Sequence, residues 1–252
     1  LKRLEGKAGP QAQIAALQAS EQADWMLYSH LSIAKFQAFI PAPVRRPDAV
    51  FIHGIEAWRP LAPDHTAVLQ GAALRIANSA FTASRVESMH PAIGPVVPCP
   101  LAVAPEQLAR AAATDGARPD IGGRAVIVVA RMSSGERYKG HDELLDAWPD
   151  VLRRVPDAQL VFVGDGDDLH RLRDKASALD VSGQVLFAGF ASESELVGFY
   201  RAAAVFAMPS RSEGFGLVYL EAMPHGLPCI ASVDDAGGEV VEDGGSGFLV
   251  RQ

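Results

Sequence analysis

The stretch RAVIVVARMSSGERYKGHDELLDAWPDVLRRVPDAQLVFVGDG, residues 124–166, decides the fold. It opens on a run of Val and Ile, crosses a polar loop, enters a segment with apolar residues three and four apart, and closes on a second apolar run ended by Gly-Asp-Gly. A short β-branched run without polar alternation is expected of a strand buried on both faces, as in a parallel sheet lying between helices. Residues 124–130 and 159–164 therefore read as strands, and 141–154 as an amphipathic helix. The same alternation continues through DLHRLRDKA, the strand QVLFAG (184–189), SESELVGFYRAA, the strand VFAMPS (205–210), the helix GLVYLEAMPHG (216–226) and the strand LPCIAS (227–232). Five such repeats predict a doubly wound α/β domain.

Upstream the pattern is looser. Residues 11–22 read as a helix, WMLYSHLSIAKFQAFI as strand plus helix, 49–54 and 74–80 as strands, and 64–71 and 81–90 as helices. Prolines 91, 95, 98, 100 and 105 interrupt the chain, and 114–123 is rich in Gly, Pro and Asp. The expected division is a partial amino-terminal Rossmann-like domain over 1–112, a linker over 113–123 and a carboxyl-terminal domain over 124–252.

The chain has 252 residues, 48% hydrophobic and 21% charged, enough for a sizeable core. Its apolar runs fall far short of the roughly 20 residues that span a bilayer. Cys99 and Cys229 are far apart and lack metal-ligand spacing, which argues against a structural zinc site and fits a reducing compartment. Net charge is -7, unevenly spread: residues 1–112 carry 10 Lys and Arg against 8 Asp and Glu, and the remainder 13 against 22. The acidic second half would repel a nucleic-acid backbone. The slightly basic first half is compatible with lying near an anionic membrane.

Ligands of doubly wound sheets sit beyond the carboxyl ends of the strands, where the unusual residues of this sequence collect. Arg131 and Lys139 bracket the loop after the first strand, and two cations there suit a diphosphate. Gly164 and Gly166 form a tight turn after the second strand. In SRSEGFGLVYLEAM (210–223), Glu213 precedes Gly214 and Gly216, and Glu221 follows on the helix that Gly216 opens. If both carboxylates were on a helix, eight residues would separate them by about 12 Å, too far for a glycosidase pair. Two separate tasks fit better, with Glu221 accepting hydrogen bonds from ribose hydroxyls. His53 ends a strand of the first half, where a backbone carbonyl would fix its tautomer. Position 169 is Leu169 where a dinucleotide fingerprint needs its third glycine, and neither a P-loop nor a G-x-S-x-G elbow occurs. The tryptophans Trp25, Trp58 and Trp148 read as packing residues.

Together, Arg131, YKG (138–140), VGDG (163–166), PSRSEGFGLVYLEAM (209–223), HGLPCIAS (225–232) and GGEVVEDGGSGFLV (237–250) resemble the carboxyl-terminal domain of retaining GT-B glycosyltransferases of family 4. AVFIHGIEAW (49–58), ALRIANSAFTASRV (73–86) and VVPCPL (96–101) resemble the later part of the amino-terminal domain. The resemblance implies an α/β GT-B fold, two Rossmann-like domains facing across a cleft. Family members are longer, so the amino-terminal domain is expected to be incomplete and the carboxyl-terminal one truncated. The resemblance further implies a retaining hexosyltransferase that moves a sugar from a UDP-sugar or GDP-sugar to a saccharide or lipid-linked acceptor, with no cofactor or metal required. Its implied catalytic residues are His53, Glu213, Lys139 and Arg131. Arg131 and Lys139 would neutralise the donor diphosphate, Gly164, Phe215, Gly216 and Leu217 would border the donor, and Glu221 would hold the ribose. The implied setting is cytoplasmic polysaccharide or glycolipid assembly, with peripheral contact at the inner face of the membrane and no nucleic acid. A catalytically weak nucleotide-sugar-binding or regulatory protein of the same fold stands as the alternative.

Overall fold

The computed structural model describes residues 10–114, 116 and 118–252. Among the described residues the chain forms two compact units, each built on a parallel sheet, divided between Leu101 and Ala102.

In the first unit the strands β1 (Met26–Tyr28), β2 (Asp48–Ile52), β3 (Leu74–Ala77) and β4 (Val97–Pro98) lie side by side in chain order. Helices α1 (Pro10–Glu21), α2 (Leu31–Ala34), α3 (Pro63–Gly71) and α4 (Ala80–Met89) belong to the same unit. Val50, Ile52, Leu69, Ala77 and Val86 make its core. Ser79 starts α4, its hydroxyl accepting the Thr82 N–H at 3.0 Å. Trp58 and Trp148 are buried as the sequence suggested, but Trp25 is exposed beside the edge strand β1.

The second unit opens with α5 (Pro105–Ala113), which the proline-rich sequence had assigned to the first domain. Arg201 explains the difference. Its guanidinium donates to the carbonyls of Ala111, Ala112 and Thr114, fastening the end of α5 to the second unit.

The six strands of this unit are β5 (Ala125–Val129), β6 (Gln159–Val163), β7 (Val185–Gly189), β8 (Val205–Ala207), β9 (Cys229–Ser232) and β10 (Gly247–Val250). Their spatial order is β10-β9-β8-β5-β6-β7, all parallel. The sequence reading found five of them and missed β10. Helices α6 (His141–Arg154), α7 (Leu169–Ala178), α8 (Glu193–Ala202) and α9 (Leu217–Ala222) connect them. The helix expected over 216–226 stops at Ala222 and finishes as a 3-10 turn, Met223–His225, containing Pro224. Ser192 and Glu195 form a reciprocal capping box at the start of α8.

Strand order reverses between β5 and β8, and at such a switch point the loops leaving two neighbouring strands diverge and open a crevice. The loop after β5 carries Arg131 and Lys139; the loop after β8 carries Glu213 and Gly216. Among the described residues no helix is long and apolar enough to cross a membrane.

Candidate functional site

Glycines bring the two switch-point loops together. Gly140 has φ +89°, and a Cβ there would stand 2.6 Å from the Pro209 carbonyl oxygen, so only glycine lets the loops approach this closely. Arg211 N–H donates to the Tyr138 carbonyl at 3.0 Å across the same seam. Lys139, between them, reaches Glu213: its Nζ donates to Oε2 at 2.6 Å, and the two side chains are only 18% and 16% exposed.

Arg131 remains at the surface, 77% exposed, and is ion-paired with Glu136 of its own loop. Thus both predicted cations meet a carboxylate of the chain.

Gly216 begins α9 in the left-handed region, φ +91° and ψ +54°. A Cβ there would lie 2.5 Å from the Tyr219 ring. Phe215 is buried, whereas Leu217 is exposed at the first helical position. Tyr219 is buried and donates its hydroxyl to the Met208 carbonyl at 2.6 Å. Glu221, farther along α9, is half-buried, and burial raises its carboxyl above the ordinary range. The Tyr200 hydroxyl stands 3.5 Å from its Oε2, and the Tyr200 ring stacks on His225.

The Gly164 turn packs against the end of β5. A Cβ at Gly164 would stand 2.1 Å from the Ala130 carbonyl oxygen and one at Gly166 2.0 Å from that of Met132. Nearby, Arg171 bridges Asp142 and Asp168, Arg137 joins Asp168, and Lys175 joins Asp142 and Asp146. This network ties α6 to α7 and holds Asp168 down to about 2, chiefly through its hydrogen bonds from Arg171. His141, buried at the start of α6, is pushed down to about 4 by desolvation and is therefore neutral at pH 7.

Sequence reasoning overlooked Asp235. It follows β9, is 3% exposed, and accepts the Glu213 N–H at 2.9 Å and the Gly237 N–H at 2.9 Å. An Asp in the short run Asp234-Asp235-Ala236 carries no periodic signal, and its partner lies 22 residues away.

In the first unit, His53 follows β2. Its Nε2 lies 2.7 Å from the Ser29 carbonyl oxygen, an arrangement that protonates Nε2 in the neutral ring. The ring stacks on His30 with centroids 5.9 Å apart, and Asn78 Nδ2 donates to the His53 carbonyl at 2.8 Å.

The two sheets and the Lys139–Glu213 pair define a doubly wound α/β protein with charged residues gathered at the switch point, the place where ligands of such sheets bind. The family described as Glycosyl transferases group 1 matches residues 122–252, more than half the chain, and the chain belongs to that family. The GDP-mannose-dependent alpha-(1-6)-phosphatidylinositol monomannoside mannosyltransferase of Mycolicibacterium smegmatis is 39% identical over 154 residues, covering 58% of this chain and 39% of its own length. Its Mycobacterium tuberculosis counterpart is 36% identical over 190 residues, 68% of this chain and 47% of that protein. The chain thus spans less than half the length of these curated relatives. Among solved structures, HepE of Anabaena in complex with UDP superposes with a TM-score of 0.72 at 21% identity, over 95% of this chain and 68% of that one. Sucrose-phosphate synthase from Thermosynechococcus elongatus gives 0.73 at 22%, over 94% and 63%. These similarities place the two parallel sheets in the α/β GT-B class.

Proposed function

We propose that the chain is the donor-binding part of a retaining family 4 glycosyltransferase, a hexosyltransferase that moves a sugar from a nucleoside diphosphate to a hydroxyl of a saccharide or lipid-linked acceptor. The observation that carries this reading is the Lys139–Glu213 pair at the switch point of a sheet in the family-matched half. As the glycosidic bond breaks, negative charge grows on the leaving diphosphate, and preorganised cations lower the barrier there. Lys139 and Arg131 take that role by exchanging their carboxylate partners for phosphate oxygens. Glu213, released from Lys139, accepts hydrogen bonds from donor-sugar hydroxyls, while Phe215, Gly216 and Leu217 offer backbone groups and Gly164, packed against Ala130, borders the donor. Glu221 accepts from the ribose, a use favoured by its half-buried setting on α9. His53 belongs to the amino-terminal, acceptor-side domain; with its Nε2–H given to the Ser29 carbonyl, its ring offers Nδ1 as an acceptor for a sugar hydroxyl.

GDP-mannose is the first donor to try, because the mannosyltransferase relatives are named for it; UDP-sugars come second, from the UDP-bound structural neighbour. A phosphatidylinositol mannoside is the corresponding acceptor class, with the enzyme cytoplasmic and peripheral at the membrane. No metal or organic cofactor enters this mechanism.

Calorimetric titration with GDP, UDP and ADP tests the donor site, with selective micromolar binding of GDP or UDP expected. Transfer from GDP-mannose, followed by the anomeric coupling of the product in NMR, tests retention. Inverted product refutes the retaining assignment; binding without any transfer favours the regulatory alternative.

A further inference from the structure

Glu213 is held by its backbone as well as by its carboxylate. Its N–H donates to Asp235 Oδ2, and its carbonyl accepts the N–H of Ala236 at 3.1 Å. These two bonds tie the loop after β8 to the turn after β9. Asp235 Oδ1 meanwhile accepts from Gly237, and the Ser210 side chain gives a further hydrogen bond. Both carboxylate oxygens are therefore engaged, one with its own turn and one with Glu213.

This arrangement works against the fold. The groups facing Asp235 are Ser210 and Glu213 from the loop after β8, Tyr219 from α9 and Gly237 from its own turn; Lys139 stands one step beyond, on Glu213. Desolvation and the Glu213 charge push the Asp235 carboxyl up to about 6. With the folded value above the unfolded one, the stability this group contributes is fully present below about 4 and is lost as pH rises through about 6. Asparagine or serine would cap the turn as well as aspartate does. Only a carboxylate, however, can accept N–H groups on both oxygens. The second oxygen thus does what a neutral cap could not: while the first caps the turn at Gly237, it holds the Glu213 N–H of another loop.

We propose that Asp235 is a positioning residue for the donor sugar: its carboxylate clamps the Glu213 main chain and so fixes where the Glu213 carboxylate stands. This rests on the donor-site reading above and deepens it. Protonating Asp235, or replacing it with Asn, removes one acceptor and lets Glu213 drift. The loss then falls on the sugar, which Glu213 holds, and spares the nucleotide.

The test compares GDP and GDP-mannose, and UDP and UDP-glucose, in calorimetric titrations of wild type, Asp235→Asn, Glu213→Gln and the double variant. Asp235→Asn is expected to weaken the nucleotide sugar about tenfold, the effect of one lost charged hydrogen bond, while the free nucleotide changes less than about twofold. The double variant is expected to be no worse than Glu213→Gln alone, because both changes act through one group. In wild type, the ¹⁵N amide signals of Glu213 and Gly237 should titrate together with a midpoint near 6, and Asp235→Asn should abolish the transition. Equal weakening of nucleotide and nucleotide sugar, an unchanged ratio, additive double-variant losses, or amides that do not titrate in wild type each overturn the inference. The amide titration needs no variant, so a folding failure of Asp235→Asn leaves a decisive measurement. Wild type that binds none of the four ligands refutes the donor-site reading itself, and this inference with it.

Discussion

Lys139 and Glu213, 74 residues apart in sequence, meet at 2.6 Å in a largely desolvated setting. Removing one member of such a pair leaves the other charge without its partner, which costs more than the pair contributes. Lys139→Ala is therefore expected to weaken GDP or UDP binding by about ten- to a hundredfold, from the loss of a charge-assisted phosphate contact. Isothermal titration alongside thermal melting separates this effect from folding. Unchanged nucleotide affinity would detach Lys139 from the diphosphate.

Glu221 and Tyr200 should behave differently despite their proximity. At 3.5 Å the hydrogen bond between them is at the outer limit of useful geometry, so Tyr200→Phe is expected to leave nucleotide affinity within about twofold. Glu221→Ala removes the proposed ribose acceptor and should weaken nucleotide binding about tenfold. Competition between ribo- and 2′,3′-dideoxy nucleoside diphosphates checks the assignment, since the variant should lose discrimination.

Gly216 and Gly226 offer a controlled comparison. Both have positive φ, +91° and +79°, but a Cβ at Gly216 meets the Tyr219 ring at 2.5 Å, whereas nothing lies within 4 Å of one at Gly226. Gly226→Ala is expected to cost about 1–2 kcal/mol, from backbone conformation alone. Gly216→Ala should cost about 1–3 kcal/mol more through overpacking. Urea denaturation of the two variants gives the difference directly.

Acid stability should depend on Asp168. Its carboxyl is held down to about 2 in the folded chain, against an unfolded value near 4. A depressed value means that the stabilisation is present above about pH 4 and disappears as pH falls towards 2. Asp168→Asn is expected to lower stability at pH 7 by about 1–3 kcal/mol, the range for charged hydrogen bonds, and to flatten this part of the pH profile. Denaturation midpoints measured from pH 2 to 7 would reveal both effects.

The sequence made some of these features readable and concealed others for physical reasons. Buried parallel strands such as β5 and β6 need unbroken apolar runs, and the amphipathic helix His141–Arg154 needs its spaced ones, so all three were plain. Strand β10 was missed because it is a four-residue edge strand behind glycines, with Phe248 exposed. The Pro- and Gly-rich stretch around 114–123 suggested a linker, yet the carbonyl contacts of Arg201 move the boundary before α5, and such contacts leave no local pattern. Lys139 and Glu213 were each recognisable as candidate site residues. Their mutual contact depends on Gly140 and Pro209, and Asp235 enters only through the partner it finds in space.

The glycine contacts at the strand ends also bear on redesign. Gly140 against Pro209, Gly164 against Ala130 and Gly166 against Met132 join three crossover segments with main chain against main chain, the rigid Pro209 ring being the one side chain among these nearest contacts. A residue inserted into one of them has no soft neighbour to displace and passes its shift directly to the others. Grafting a new ligand preference onto this scaffold should therefore exchange these segments as a set, or confine changes to side chains that point away from the seam.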